Sequence, residues 1–316
     1  MKRKLHLDGY WRTMLVTCNF AIWCLFMPKF KSVLLLFLSA LFLLPVQGWS
    51  QTATDTHKGH FFFAVSAMVS PAQTLVHFTE FRDYLEEKLG IHVHLKQRRT
   101  YEEINTLLRD ATVQMAFTCT GGYLNGRQAF GLEVLAVPVI KGKTAYRSYI
   151  ITGKDNPATS LAQLKGSVFA FTDPLSLSGR MYPVAQLNSF GYTTSTFFKK
   201  TFYTESHDKS VEAVATGLAD GAAVDSLIFD SLYTMPNSYA RKVRVIHKSA
   251  EFGMPPVVVA PGLDKNYKRT LLKVLLGMAN DPRGRKVLQS LEMDGFVLSS
   301  PELYRSAILL RKQLKE

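Results

Sequence analysis

Cysteine is nearly absent from this 316-residue chain. There are three, and Cys18 and Cys24 fall near the N-terminus, leaving Cys119 alone in the body. One body cysteine excludes an intramolecular disulfide framework and a zinc site built from several cysteines. Cys119 lies in an apolar context and reads as a packed thiol, not a nucleophile. The chain also lacks a Gly-x-Ser-x-Gly elbow, a His-Glu-x-x-His pair and a Gly-x-x-x-x-Gly-Lys-Ser/Thr loop. That removes the sequence signals of an α/β-hydrolase, a zinc protease and a nucleotide-binding loop. No internal repeat and no long low-complexity segment is present. Acidic residues are scarce, 25 against 38 basic, for a formal charge of +13. The basic pairs are scattered (Arg98-Arg99, Lys199-Lys200, Arg241-Lys242) and are not interleaved with aromatics in one block. Nucleic acid is therefore not the expected partner.

Part of that charge belongs to a leader. In residues 1–50, Lys2, Arg3, Lys4, Arg12, Lys29 and Lys31 stand against Asp8 alone, which puts +5 there and +8 in the remainder. The apolar run Ser32 to Val46 has 15 residues. It is short of the roughly 20 that a membrane-spanning helix needs. Lys29 and Lys31 precede it and Gly48-Trp49-Ser50-Gln51 follows, the pattern of a secretory signal, with cleavage expected after Ser50. Met27 makes a good signal start, which turns residues 1–26 into an upstream extension. Alternatively, the apolar Met14 to Phe26 joins the later run as an uncleaved anchor. Residues 51–60 are polar and read as a lead-in. Within it His57 and His60 are solvated residues before they are metal ligands.

The body alternates strand and helix, the pattern of an α/β protein with mainly parallel sheets. Strands are predicted over 61–65, 91–95, 113–117, 132–140, 149–152, 168–171, 221–224, 243–246 and 256–260. A helix over 71–89 ends at Gly90. Another over 100–109 has Thr100 as N-cap and Glu103 to complete a capping box. Gly121-Gly122-Tyr123 opens a further helix, 206–217 is helical, and the chain beyond Leu263 is mostly helical.

The chain is organised around Phe171-Thr172-Asp173-Pro174-Leu175-Ser176-Leu177-Ser178-Gly179-Arg180-Met181-Tyr182-Pro183. A buried strand runs into a small-residue turn, and a helix is expected from there to about Phe190. The first N–H groups of a helix have no internal partner, and its dipole adds partial positive charge. Ser176 and Ser178 add hydroxyl donors, and Gly179 lets a ligand approach the backbone. The same residues also suit an ordinary capped helix start. Asp173 reads as an Asx turn. Asp225 either faces a ligand or caps the helix after it, and Tyr123 either reaches a ligand or packs in the core. His207, at a helix start, can donate to an anion in either charge state.

Several segments, in order over residues 61–314, carry a resemblance. They are Phe81 to Gly90, Gly122-Tyr123, Tyr149-Ile150-Ile151 with Leu161 to Gly166, and Asp173 to Gly179 with Pro183. Further on come Ser206-His207 with Ala213-Val214, Gly217 and Ala219-Asp220, then Ala222 to Ser226, and Pro255-Pro256-Val257-Val258-Val259. Together they resemble the solute-binding proteins of phosphate, phosphite and phosphonate ABC transporters, the PhnD-like family. The resemblance implies a type II periplasmic-binding-protein fold, with lobe one over 61–147 and 247–316, lobe two over 148–246, and two crossings as a hinge. It implies a small phosphorus oxyanion held by Ser176, Ser178 and the N–H groups of Leu177 and Gly179. Tyr123 would join from the other lobe, His207 from the same one, and Asp225 would face the ligand's far end.

The resemblance implies no catalytic residue, metal or cofactor, and a periplasmic monomer that delivers its ligand to an ABC permease in the inner membrane. Two alternatives stand beside it: a sensor of the same fold that signals to a membrane histidine kinase or chemoreceptor, and a hydrolase using the Ser/His/Asp set. The sequence departs from the family in three places. Leu177 stands where many members have a hydroxyl residue. Gly253-Met254-Pro255-Pro256 lacks the acidic residue that aminoalkylphosphonate binders carry near that proline pair, and Met68-Val69-Ser70-Pro71 lacks the tyrosine some members use there. These departures turn the expectation away from an aminoalkylphosphonate.

Overall fold

The computed structural model describes residues 59–66, 68 and 71–314. The leader, its cleavage after Ser50, the Met14 to Phe26 anchor, most of the lead-in with His57, and Val69-Ser70 lie outside the described residues. The described ones belong to one compact unit, His57–Glu316.

In chain order, β1 (His60–Ser66), α1 (Pro71–Leu89), β2 (His92–Arg98), α2 (Tyr101–Arg109), β3 (Met115–Phe117), α3 (Thr120–Phe130) and β4 (Glu133–Val139) come first. A two-residue strand, β5 (Ala145–Tyr146), leads into β6 (Ser148–Gly153), β7 (Val168–Phe171), α4 (Tyr182–Ser189), α5 (Thr194–Phe197), β8 (Lys200–Tyr203) and α6 (His207–Ala215). Then come β9 (Gly221–Asp225), α7 (Ser226–Thr234), β10 (Val243–Lys248), β11 (Phe252–Gly253) and β12 (Val257–Val259). The chain finishes with α8 (Lys265–Gly277), α9 (Pro282–Ser290), β13 (Gly295–Val297) and α10 (Arg305–Lys312).

The strands form a six-stranded sheet, β13-β4-β12-β3-β1-β2, and a five-stranded sheet, β10-β6-β9-β7-β8. The chain passes between the two sheets through β5 and β11. These pair antiparallel as a ribbon, with Tyr146 opposite Phe252 and Ala145 opposite Gly253.

The sheets are not mainly parallel, as the strand–helix alternation suggested. Each is parallel at one end, where β1 joins β2 and β3, and β7 joins β8 and β9. Each is antiparallel at the other end, where β12, β13, β6 and β10 enter. A helical crossover returns a strand parallel. The strands reached directly from the ribbon, β6 and β12, run the opposite way.

Both faces of the six-stranded sheet are buried. Phe61, Phe63 and Val65 of β1 enter one apolar cluster, and Ala64, with Phe62 against it, enters another. That two-sided burial explains why β1 reads as a near-continuous apolar run. The α2 start is as expected: Glu103 N–H donates to Thr100 Oγ1 (3.2 Å) and Thr100 N–H to Glu103 Oε2 (2.9 Å). Its buried residues, Tyr101, Ile104, Asn105 and Leu108, follow helical spacing. Gly90 ends α1 at φ +67°, where glycine is unstrained. Among elements the periodicity did not announce, β8 is mostly exposed and so carries no alternating apolar signal. Both β13 and the ribbon are too short for any period to register.

Candidate ligand-binding site

Four strands that end on one another define the site. β1 and β3 of one sheet, and β7 and β9 of the other, finish at Ser66, Phe117, Phe171 and Asp225. Crevices beyond the carboxyl ends of such strands are where α/β proteins hold ligands. Here the residues that follow the strands are polar and buried: Thr118 and Thr120, Thr172 and Asp173, and Asp225 itself with Ser226.

The two halves touch across this crevice. Tyr101 N–H, at the start of α2, donates to Asp173 Oδ2 (3.2 Å). His207 N–H donates to Met68 O (3.1 Å), and Arg99 pairs with Glu205 at the surface (2.7 Å). Cys119 Sγ lies 3.6 Å from Leu175 O. A Cβ on Gly121 would stand 2.0 Å from that same Leu175 O, so only glycine permits the approach.

Downstream of β7 the helix does not begin after Pro174. A π-helical turn, Leu177–Met181, precedes α4. Such wide turns are frequent at functional sites. Ser176 caps the turn: its Oγ accepts Gly179 N–H (2.9 Å), which leaves the Ser176 hydrogen free to donate elsewhere. Ser178 O accepts from Ser148 Oγ (2.7 Å), and the Ser178 side chain meets Tyr146. Asp173 makes the expected Asx turn, accepting Leu175 N–H (2.7 Å) while it also holds Tyr101. Burial raises its carboxyl pKa, opposed by those two N–H groups.

His207 and Asp225 sit together. Asp225 N–H donates to His207 Nδ1 (3.1 Å), and Thr172 Oγ1 lies 3.0 Å from the same nitrogen. A nitrogen that accepts a backbone N–H carries no proton, so the imidazole hydrogen is on Nε2. Burial lowers the His207 pKa to about 3, with Asp208 opposing, so the ring is neutral. Asp225 caps α7, its Oδ1 accepting Leu227 N–H (2.7 Å). Burial pushes its pKa up to about 7, against the N–H groups of Leu227 and Ile228.

Two buried hydroxyls at this crevice have no partner, Tyr101 Oη and Ser206 Oγ. Buried polar atoms in native proteins are nearly always satisfied. Ser206 is the N-cap of α6 yet makes no capping bond, and Tyr101 is completely buried. Cys119, Asp173, Asp225 and Tyr146 all lie near Tyr101, which places it among the same groups.

Residues 63–304 match the family described as ABC transporter, phosphonate, periplasmic substrate-binding protein. The chain belongs to that family. The fold is shared with solved structures of modest identity. One is the binding-protein component of an ABC phosphonate transporter from Pseudomonas aeruginosa, with a TM-score of 0.73 and 23% identity over 79% of this chain and 85% of that one. Another is PhnD1 from Prochlorococcus marinus in complex with methylphosphonate, with a TM-score of 0.74 and 17% identity over 81% and 98%. A third, from Xanthomonas citri, is bound to ATP, with a TM-score of 0.68 and 20% identity over 81% and 97%. The architecture is thus the type II periplasmic-binding-protein fold. Among the described residues no helix is long and apolar enough to cross a membrane.

Within this phosphonate-binding family member, the residues singled out from the sequence fall in different places. Ser178, His207 and Asp225 lie in the polar crevice with Ser176 beside them. Leu177 is fully buried in the apolar core, with its N–H near Cys119 Sγ. The Gly179 N–H is taken by Ser176. A Cβ there would strike Thr172 Oγ1 at 2.4 Å, so this glycine serves the chain's own packing and not a ligand's approach. Tyr123 turns away: its ring packs on Tyr304 (4.9 Å) and its hydroxyl meets Arg127. The core reading of Tyr123 is the one the geometry takes, and Asp225 caps α7 through one carboxylate oxygen, Oδ1. The hydrolase alternative lacks its triad. His207 Nδ1 accepts the Asp225 backbone, and the Asp225 carboxylate caps a helix. Tyr101, Tyr146 and Ser206 were not read as site residues. The capping box that named Thr100 marked the helix start on which Tyr101 sits, and the Ser206-His207 pair stood in the motif itself.

Proposed function

We propose that this chain captures a small phosphorus oxyanion, a phosphonate, phosphite or phosphate, between its two halves and hands it to an ABC permease of the inner membrane. The halves, 61–147 with 247–316 and 148–246, act as lobes that close by bending at the β5–β11 ribbon. The leader directs secretion and is removed after Ser50. The donors are Ser176, Ser178, Tyr101, Tyr146, Ser206 and His207 Nε2–H. Asp225 accepts the proton that a phosphorus oxyanion keeps near neutral pH. This set contains no lysine or arginine, so the anion is held by directed hydrogen bonds and not by a countercharge.

The observation that carries this reading is the pair of buried, unpartnered hydroxyls, Tyr101 and Ser206, one on each side of the crevice. The test is calorimetric titration of the purified protein with methylphosphonate, phosphite, phosphate and sulfate. Saturable binding of one phosphorus oxyanion, with sulfate silent, is expected because sulfate has no proton for Asp225. No binding of any phosphorus oxyanion, or equal binding of sulfate, rejects the reading.

A further inference from the structure

A cavity of about 350 Å³ lies beside the polar crevice. Tyr146 is the link: its ring lines this cavity while its hydroxyl meets Ser178 and Thr120 in the crevice. Ser66 and Ser226, at the ends of β1 and β9, complete the inner wall. Beyond them the lining turns apolar, with Met68, Phe78, Ile228, Leu232, Met235 and Met293.

Charged side chains reach the same cavity but are already engaged. Glu251 pairs with Arg147 (3.3 Å) and Lys143 (3.6 Å), and Glu292 accepts from Ser231 (3.0 Å). Asp230 takes Tyr149 Oη (3.4 Å) and lies within the fields of Lys248 and Lys141. Each acid at the cavity thus already has a cation or a hydroxyl beside it. Taking about 30 Å³ for each water-sized unit, the cavity holds roughly ten non-hydrogen atoms. That is far more than a methyl group needs.

Resting on the oxyanion reading above, we propose that the ligand is an organophosphonate with an uncharged, apolar substituent of about the size of a phenyl ring, seated in this cavity. The three methionines supply flexible, polarizable contacts that adapt to substituent shape. The oxyanion end fixes the ligand, and the cavity selects its class.

The experiment compares methylphosphonate, phenylphosphonate and 2-aminoethylphosphonate by calorimetry on the wild type and on Met235→Trp and Met293→Trp, which fill the cavity away from the crevice. Phenylphosphonate is expected to bind the wild type at least tenfold tighter than methylphosphonate, and 2-aminoethylphosphonate no tighter. Each filled variant is expected to cancel the phenyl advantage while methylphosphonate binds within about twofold of wild type. That retained methylphosphonate binding also reports that the variants are folded. A phenyl advantage that is absent in the wild type, or that survives both fillings, overturns the inference and leaves the oxyanion reading intact. Failure of all three ligands on the wild type overturns both.

Discussion

The backbone N–H of Tyr101 donates to Asp173 Oδ2 at 3.2 Å, joining a helix start on one half of the molecule to a strand end on the other. The same carboxylate also holds Leu175 N–H at 2.7 Å, so one side chain shapes the turn and latches the halves. Asp173→Ala is therefore expected to weaken oxyanion binding by about tenfold or more, since hydrogen bonds to a charged group contribute roughly 1.5–3 kcal/mol. Small-angle scattering should show the variant more open than wild type. An unchanged profile with unchanged affinity contradicts the latch.

Tyr101→Phe and Ser206→Ala separate a ligand contact from a structural one. Each removes a buried hydroxyl that has no partner. An unsatisfied buried group costs about 1–3 kcal/mol, so the unliganded variants are expected to melt at or above the wild-type temperature. Their oxyanion affinity is expected to fall at least tenfold. A variant that loses stability and keeps affinity places its hydroxyl in the fold instead of the site.

Gly121→Ala puts a Cβ 2.0 Å from Leu175 O, across the contact between the halves. The backbone oxygen has no rotamer by which to escape, so closure is blocked. Calorimetry is expected to show affinity down by more than tenfold, with a melting temperature of the unliganded protein within a few degrees of wild type. Full affinity in this variant means that the ligand is held without that approach.

At the crevice, His207 and Asp225 make opposed contributions to stability against pH. Burial lowers His207 to about 3, so the unfolded chain takes up a proton there below about 6.5 that the folded one refuses. That part of stability is lost as pH falls from about 6.5 to 3. Burial raises Asp225 to about 7, so the folded chain keeps a proton that the unfolded one releases above about 4. That part is present at low pH and lost as pH rises from about 4 to 7. Between about 4 and 6.5 these two nearly cancel. Asp225→Asn removes the carboxyl's share, so below pH 6.5 its stability is expected to fall by about 1.4 kcal/mol more per pH unit than that of the wild type. Urea unfolding midpoints of both proteins across that range measure it. A variant slope equal to the wild-type slope rejects the raised, buried assignment of Asp225.

Most of the fold was readable from apolar runs, because buried strands such as Val168 to Phe171 and capped helices such as Tyr101 to Arg109 carry their own local signals. Sheet direction was not readable. It depends on where the chain crosses between halves, and the two-residue strands Ala145-Tyr146 and Phe252-Gly253 are too short to show a period. In the site, Ser178, His207 and Asp225 were legible because they sit in motif segments at strand and helix ends. Tyr101 and Tyr146 were not. Each looks like one more core aromatic, and only the tertiary fold shows Tyr101 buried beside acids without a partner, or Tyr146 set beside Ser178. Tyr123 came to the site through the resemblance alone, while its own place on the helix points it at Tyr304 and Arg127.

Tyr146 belongs to the ribbon that links the two sheets, and its hydroxyl also stands among the groups assigned to the oxyanion. On the proposed closure, pivot and probe are one residue. The apparent affinity of a protein whose binding-competent form is only partly populated is its intrinsic affinity scaled by that population. Substitutions along the ribbon, at Phe252 or Gly253, then retune how much ligand is retained at a given external concentration without altering a single contact to it. Uptake threshold and chemical selectivity become separately adjustable properties written on neighbouring positions of one short strand pair.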